Sequence, residues 1–306
     1  MILTPLSPQD DGLLQELVRA LQRPQSHFPE LTKDTRCDSI TILGPKPACY
    51  GEELNMPLIQ RPAGDTRAVQ YRGAAYLPRK YAGVLVAREA DLARLSAGGL
   101  LNDVVVNLVL RMWWSDLGAK KAARLHIFSS HFLPRFRKAG FSAIANWFPQ
   151  NLFDKPYLIF PVHEGGHWYL AVACIYPFVK IFTMDSFSRD GAAVPHQETA
   201  IRILNFLRLA WDASVNGKYA QSVELLNKRG NTSVSYQAVK VPLQPNDTDC
   251  GIYLLHFARI FAEDPEICLR ECMHSTTTYA PLWERRNVVD LRVELATRIS
   301  ELRESL

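Results

Sequence analysis

Three apolar runs of strand length follow one another along the chain, and they constrain its fold more than any other feature. They cover residues 157–162, 168–176 and 180–184. Only short turns separate them, and strands joined in this way usually lie side by side in one sheet. A further strand is expected within 234–241, after a helical pattern at 201–211. Strands flanked by helices in mixed order predict an α+β fold.

The chain divides into two regions by its patterning. Seven prolines interrupt residues 23–80, and we therefore predict that 1–80 is an N-terminal extension that wraps the main domain or is partly loose. Only a short helix after Pro8 and a strand at 39–43 are indicated there. Residues 81–306 are predicted to form the main domain. Its first clear helix is expected to begin after Asn102, a residue typical of a helix N-cap.

A polar loop leads directly into Cys250, and this cysteine begins an apolar helical pattern that runs to Phe261. The free backbone N–H groups and the dipole of a helix N-terminus stabilise a thiolate, which is the nucleophilic form of cysteine. We expect Asp249 or Asp247 to cap the same turn. The pattern predicts that Cys250 is a nucleophile.

Three residues upstream of Cys250 complete a possible catalytic set. His167 begins one predicted strand and Asp185 ends the next, so the two lie side by side if the strands are antiparallel. The carboxylate would then hold the imidazole in one tautomer while the imidazole pairs with the thiolate. Gln244, in the loop that enters the Cys250 helix, is a candidate to stabilise an oxyanion together with the backbone N–H of Cys250.

Composition restricts the other classes of function. Of the 306 residues, 47% are hydrophobic and 22% charged, and the net charge of +4 is too small to indicate a nucleic-acid partner. No apolar run reaches the length of a membrane span and the start lacks a signal-peptide pattern, so we expect an intracellular protein without a membrane association. We also expect a monomer. Cys268 and Cys272 are four residues apart, but no second pair at zinc-ligand spacing accompanies them. We expect them at the surface, and we expect no metal and no cofactor.

Five segments together carry a resemblance to a known family. They are residues 99–103 (Gly-Leu-Leu-Asn-Asp), 126–132 (His-Ile-Phe-Ser-Ser-His-Phe), 160–168 (Phe-Pro-Val-His-Glu-Gly-Gly-His-Trp), 184–186 (Met-Asp-Ser) and 244–251 (Gln-Pro-Asn-Asp-Thr-Asp-Cys-Gly). In order and spacing this set resembles the Ulp/SENP family of cysteine proteases, which remove SUMO and related ubiquitin-like modifiers. The resemblance implies a papain-like fold of the Ulp type, with a mixed central sheet flanked by helices and the nucleophile at a helix N-terminus.

The resemblance also implies a role for each matching residue. Cys250 would be the nucleophile, His167 the base, Asp185 the orienting acid and Gln244 the oxyanion donor. The reaction would be cleavage after the Gly-Gly tail of SUMO or of a SUMO conjugate, inside the cell in the nucleus or the cytoplasm or both.

Four further positions match substrate contacts of the family. Trp168 would form one wall of a narrow tunnel over the tail, Asp103 would pair with a basic residue of SUMO, and His163 matches another contact position. Leu100 stands where many members have a tryptophan as the opposite wall. A residue other than tryptophan at this position resembles the branch of the family that edits SUMO chains. Three alternatives stay open: a protease for ubiquitin or another ubiquitin-like modifier, an inactive homologue that only binds SUMO, and an acyltransferase, which Trp168 disfavours.

Overall fold

The computed structural model describes residues 69–75, 77, 84–175, 179–187, 196–213, 235–274 and 280–304, all within the compact unit Gln60–Leu306. The strands are β1 (Val69–Arg72), β2 (Val84–Ala87), β3 (Leu125–Ile127), β4 (Tyr157–Glu164), β5 (His167–Cys174), β6 (Lys180–Met184) and β7 (Ser235–Val239). The α-helices are α1 (Glu89–Leu92), α2 (Asp103–Asp116), α3 (Gly118–Ala122), α4 (Phe132–Ala139), α5 (Gln197–Asp212), α6 (Cys250–Glu263), α7 (Pro265–His274) and α8 (Leu291–Glu304). Four 3₁₀ turns complete the described elements, at Ala93–Leu95, Phe141–Ala143, Leu152–Asp154 and Pro281–Glu284.

A mixed five-stranded sheet, in the order β3-β4-β5-β6-β7, forms the centre of the fold. The three consecutive strands predicted from the sequence pair antiparallel, whereas β3 and β7 add to the two sides in parallel. The hairpin between β4 and β5 turns at Gly165 and Gly166, whose φ angles of 60° and 79° suit residues without a Cβ. The predicted α+β class with a mixed sheet flanked by helices is therefore confirmed.

Both faces of this sheet are buried, because helices cover each of them. Strand β5 is buried at every position after His167, which explains its uninterrupted apolar sequence. One face packs against α5 through an aromatic cluster built from Phe128, Phe132, Phe160 and Phe206. Helix α6 packs against β5 on the other face. Its apolar character on all sides follows from its central position, since 12 of its 14 residues are buried.

Part of the predicted N-terminal extension contributes a strand to the described structure. Strand β1 pairs antiparallel with β2, and Val69 lies opposite Ala87 with both residues fully buried. The sequence analysis did not identify this strand. The helix after Pro8 and the strand at 39–43 lie outside the described residues. The domain boundary at residue 80 stays a prediction.

The expectation for Cys268 and Cys272 was wrong. Both lie on α7, but they are buried, with exposed fractions of 1% and 4%, and their sulfur atoms are 3.9 Å apart. Helix α7 turns this pair inwards because the chain folds back against α6 immediately after Glu263. Among the helices that the structure describes, none is long and apolar enough to cross a membrane.

Candidate active site

Strands β5 and β6 and helix α6 bring the predicted catalytic residues to one end of the sheet. Because β5 and β6 are antiparallel and Leu170 lies opposite Met184, the start of β5 adjoins the end of β6. His167 and Asp185 therefore meet across the pair, with 2.6 Å between Nε2 of the imidazole and Oδ1 of the carboxylate. His167 also interacts electrostatically with Cys250, the first residue of α6. The structure thus brings together the Cys, His and Asp that the sequence singled out.

The environment of Cys250 favours its thiolate. Burial by itself raises the pKa of the thiol, but hydrogen bonds from His167 and from the backbone N–H groups of Trp168 and Gly251 outweigh burial and lower it. Cys250 is 3% exposed, so little water competes for these donors. A thiol with a lowered pKa at the N-terminus of a rigid helix is a suitable nucleophile.

The environment of His167 favours the imidazolium. Burial lowers its pKa, but the hydrogen bonds and charges of Asp185 and Cys250 have the larger effect and raise the pKa to about 9. The lowered thiol pKa and the raised imidazole pKa together favour a thiolate–imidazolium ion pair. Since Nε2 of His167 faces Asp185, Nδ1 is the nitrogen left for Cys250.

Asp185 accepts hydrogen bonds from three donors, of which the sequence analysis expected only His167. His167 and the backbone N–H of Phe187 donate to Oδ1, at 2.6 and 2.8 Å, and His196 donates to Oδ2 at 2.7 Å. Burial raises the pKa of Asp185, but these hydrogen bonds have the larger effect and lower it, so the carboxylate is charged. His196 directly precedes α5, and its position after Pro195 gave no spacing signal that would connect it with Asp185.

Gln244 lies beside this group, held by the residue that follows Asp185. Its backbone N–H donates to the Ser186 carbonyl at 2.9 Å, and its side-chain oxygen accepts from the Ser186 hydroxyl at 2.8 Å. One N–H of its amide donates to the Asn246 carbonyl. A primary amide has two N–H donors, so the second is the one that would serve an oxyanion.

The loop before Cys250 is fixed differently from the prediction. Asp249 occupies the N-cap position of α6, but its side chain makes no cap hydrogen bond. Instead, its Oδ1 accepts from Nε and Nη2 of Arg292 on α8, at 2.8 and 2.5 Å, and Oδ2 accepts from Asn246. Asn246 organises the turn, since its side-chain oxygen accepts from the backbone N–H groups of Thr248 and Asp249.

The four predicted substrate contacts lie around the start of α2 and the turn between β4 and β5. The Trp168 indole is 3% exposed; its N–H donates to the Leu101 carbonyl at 2.9 Å, and the exposed ring of His163 covers it at 4.5 Å. Burial lowers the pKa of His163, although nearby Asp103 acts in the opposite direction. Asp103 itself lies 2.9 Å from the imidazole of His131, and the two side chains are about half exposed.

Leu100 stands out in this region because it is a large apolar side chain with an exposed fraction of 49%. The next residue, Leu101, is buried against the helix of the candidate nucleophile. A Cβ added to Gly251 would come within 2.9 Å of the Leu101 side chain, so the glycine permits this close approach.

An α+β fold with a Cys–His–Asp set at the N-terminus of a central helix is the architecture of the papain-like cysteine proteases. Within that class, residues 100–305 match the C-terminal catalytic domain of the Ulp1 protease family, and the chain belongs to this family.

Relatives support the same family. Ubiquitin-like-specific protease 2 of Schizosaccharomyces pombe is 28% identical over 250 residues, which cover 69% of this chain and 39% of that protein. Sentrin-specific protease 7 of Homo sapiens is 24% identical over 319 residues, which cover 80% of this chain and 29% of that protein. The chain thus spans less than half the length of these curated relatives.

A solved structure, described as that of a de-sumoylating protease, has the same fold. It superposes with a TM-score of 0.64 at 19% identity, covering 78% of this chain and 92% of the other.

Proposed function

We propose that this chain is a SUMO-specific cysteine protease that cleaves the bond after the modifier's Gly-Gly tail, in deconjugation or chain trimming. The observation that carries the proposal is the contact geometry of Cys250, His167 and Asp185, with the thiol pKa lowered and the imidazole pKa raised. Family membership and the substrate-side residues Leu100, Asp103, His163 and Trp168 support the choice of substrate.

The first half of the reaction acylates the enzyme. The Cys250 thiolate attacks the carbonyl carbon of the terminal glycine, a C–S bond forms, and the oxyanion accepts hydrogen bonds from the Cys250 backbone N–H and the free N–H of Gln244. The His167 imidazolium then donates its proton to the leaving nitrogen as the C–N bond breaks. For an isopeptide this nitrogen is the lysine ε-amine of the target. Asp185 keeps the imidazole ring oriented throughout.

The second half releases the modifier. His167 is now neutral and accepts a proton from a water molecule as the water oxygen attacks the thioester carbon. Collapse of the second oxyanion breaks the C–S bond, which expels the Cys250 thiolate, restores the ion pair and frees the glycine carboxylic acid. The acid then loses its remaining proton to solvent. Each half-reaction uses the same oxyanion donors, so a single well-placed Gln244 serves both.

In this proposal, the narrow passage selects the Gly-Gly tail because residues with a side chain do not fit in it. Only glycine, which lacks a Cβ, lies extended in a narrow passage between Leu100 and Trp168. Because His163 covers the Trp168 indole, the tail would have to displace the His163 ring to lie against that wall. A basic residue of the modifier would likewise displace His131 from Asp103.

Covalent trapping tests nucleophile and substrate together. SUMO and ubiquitin, each with a thiol-reactive group in place of the C-terminal carboxylate, are incubated with the chain and with a Cys250→Ala variant, and adducts are mapped by mass spectrometry. We expect a SUMO adduct on Cys250, none with ubiquitin, and none with the variant. An adduct with ubiquitin and none with SUMO would keep the mechanism but assign ubiquitin, not SUMO, as the substrate. Measurable SUMO binding without any adduct or turnover would favour an inactive binding homologue.

The expected partner is therefore SUMO or a SUMO-conjugated protein. We further propose that the protein acts as a monomer in the nucleus or the cytoplasm or both. Analytical ultracentrifugation and localisation of the tagged protein test these two points.

A further inference from the structure

The catalytic carboxylate has a second histidine that the proposed reaction does not use. His196 lies immediately before α5, at the opposite side of Asp185 from His167, and binds Oδ2 through its Nε2 at 2.7 Å. A carboxylate only accepts hydrogen bonds, so the Nε2–H of His196 is the donor to Asp185. Asp185 thus lies between two imidazoles, and each of its oxygens has an imidazole donor.

His196 is itself held from two sides. Its ring stacks on that of Tyr169, with the centroids 3.6 Å apart and the planes 8° from parallel. Its backbone N–H donates to the Tyr236 hydroxyl at 2.6 Å, and the same hydroxyl lies 3.0 Å from that of Thr183, two residues before Asp185. These contacts tie β5, β6, β7 and the start of α5 to one another around the carboxylate.

We propose that His196 is a positioning residue for the reaction, which keeps the Asp185 carboxylate turned towards His167 through both halves of the catalytic cycle. The need for it is greatest in the acyl-enzyme, when His167 has given up a proton and its attraction to Asp185 is weakest. At that stage neutral His167 still donates through Nε2, and His196 and the Phe187 N–H supply the other hydrogen bonds that keep the carboxylate from rotating towards water. This role depends on the catalytic set proposed above and not on which modifier is cleaved.

The other charged groups near this site are already paired away from Asp185. Tyr169, against which His196 stacks, donates its hydroxyl proton to Glu164 at 2.8 Å. Glu164 in turn pairs with Arg202 at 2.6 Å. His167 on β5 interacts with Asp185, and Cys250 on α6 is the titratable group that interacts with His167. A change in the pH profile caused by substitution of His196 would therefore report on the Cys250–His167–Asp185 set.

Two substitutions separate positioning from packing. His196→Ala removes the donor, and we expect kcat to fall about tenfold with little change in KM. His196→Gln places an amide N–H near the position of Nε2, and we expect it to recover most of the loss. The matched control is Gln197→Ala, which changes an exposed side chain at the same helix start and should leave kcat unchanged.

The second readout needs no modifier. The rate at which iodoacetamide alkylates Cys250 is measured against pH, because it follows the thiolate. In His196→Ala we expect the acid-side midpoint to move to higher pH, since a poorly oriented carboxylate stabilises the imidazolium less, and in His196→Gln we expect it to stay near that of the unsubstituted chain.

An alkylation profile identical in all variants would overturn the proposal, as would equal losses of kcat in the alanine and glutamine variants. If His196→Ala does not fold, His196→Phe replaces it, because phenylalanine keeps a ring against Tyr169 but has no donor for Asp185, and the same losses are expected of it. Failure of the chain to cleave SUMO would count against the proposed function alone, because the alkylation profile would still measure the effect of His196.

Discussion

The pair formed by Cys250 and His167 is expected to set the pH range of the proposed activity. Activity requires the thiolate, which is lost at low pH, and the imidazolium, which is lost as pH rises through the His167 pKa of about 9. The Cys250 pKa is lowered, so we predict a bell-shaped profile of kcat/KM whose alkaline limb falls near pH 9. Initial rates of tail cleavage across the pH range measure it.

Asp185→Asn is the matched variant for this profile. The amide lacks the negative charge that raises the His167 pKa, so the alkaline limb should move to lower pH and kcat should fall. An alkaline limb that stays in place in this variant would show that another group is responsible for it.

Gln244 is expected to act only when charge develops on the substrate oxygen. Gln244→Ala should lower kcat by about 10²-fold or more while KM changes little, as for other single oxyanion donors. Ser186→Ala is the control, because it removes the hydrogen bond to the Gln244 side-chain oxygen but leaves the amide itself. An unchanged kcat in Gln244→Ala would exclude the residue from this role, and a smaller loss in Ser186→Ala would measure how much its orientation contributes.

Among the helices, α8 stabilises the site from a distance through one side chain. Arg292 donates to Asp249, immediately before Cys250, and also to the carbonyls of Gly99, Arg94 and Ser96 in the segment that leads into α2. We predict that Arg292→Ala lowers the free energy of unfolding by about 2–3 kcal/mol, because the Asp249 carboxylate loses its charged partner and keeps only the hydrogen bond from Asn246. It should also lower kcat by loosening the start of α6. Thermal or urea unfolding and steady-state kinetics measure the two effects.

Arg298→Ala provides the control on the same helix. Its partner, Asp116, is a surface residue, and exposed ion pairs contribute at most about 1 kcal/mol. Equal destabilisation by the two substitutions would show that α8 is held by packing alone and that the arginine contacts to the loop add nothing.

Local patterns in the sequence predicted those elements whose cause is local. The runs at β4, β5 and β6, the N-cap at Asn102 and the helix that begins at Cys250 were all visible, because burial and capping leave a periodic or short-range signal. Strand β3 has only three residues and gave no such signal. His196 and Arg292 act across 11 and 43 residues of sequence, so only the tertiary fold connects them with the site.

The whole domain places its reactive groups where two separately packed layers meet. Helix α5 and the aromatic cluster cover one face of the sheet, helix α6 covers the other, and the candidate catalytic groups lie at the end that both layers share. Each group is carried by a buried strand or helix or lies next to one, and such elements hold a reacting geometry more rigidly than loops do. The loop residue Gln244 is the exception, and it is secured by its two hydrogen bonds to Ser186.

The extent of the folded domain can be tested by comparing two chains that differ only in residues 69–80, one that starts at residue 69 and one that starts at residue 81. The longer chain keeps β1, whose Val69 is fully buried and which pairs with β2. It also keeps the hydrogen bond from the Ala74 N–H to Ser115 on α2. Burial of a single valine contributes about 1.5–3 kcal/mol, so we predict a free energy of unfolding at least about 2 kcal/mol lower for the shorter chain. Urea unfolding measures it; equal values would place the domain boundary near residue 80, as the sequence pattern indicates, and would leave β1 as an attached strand that the domain does not need.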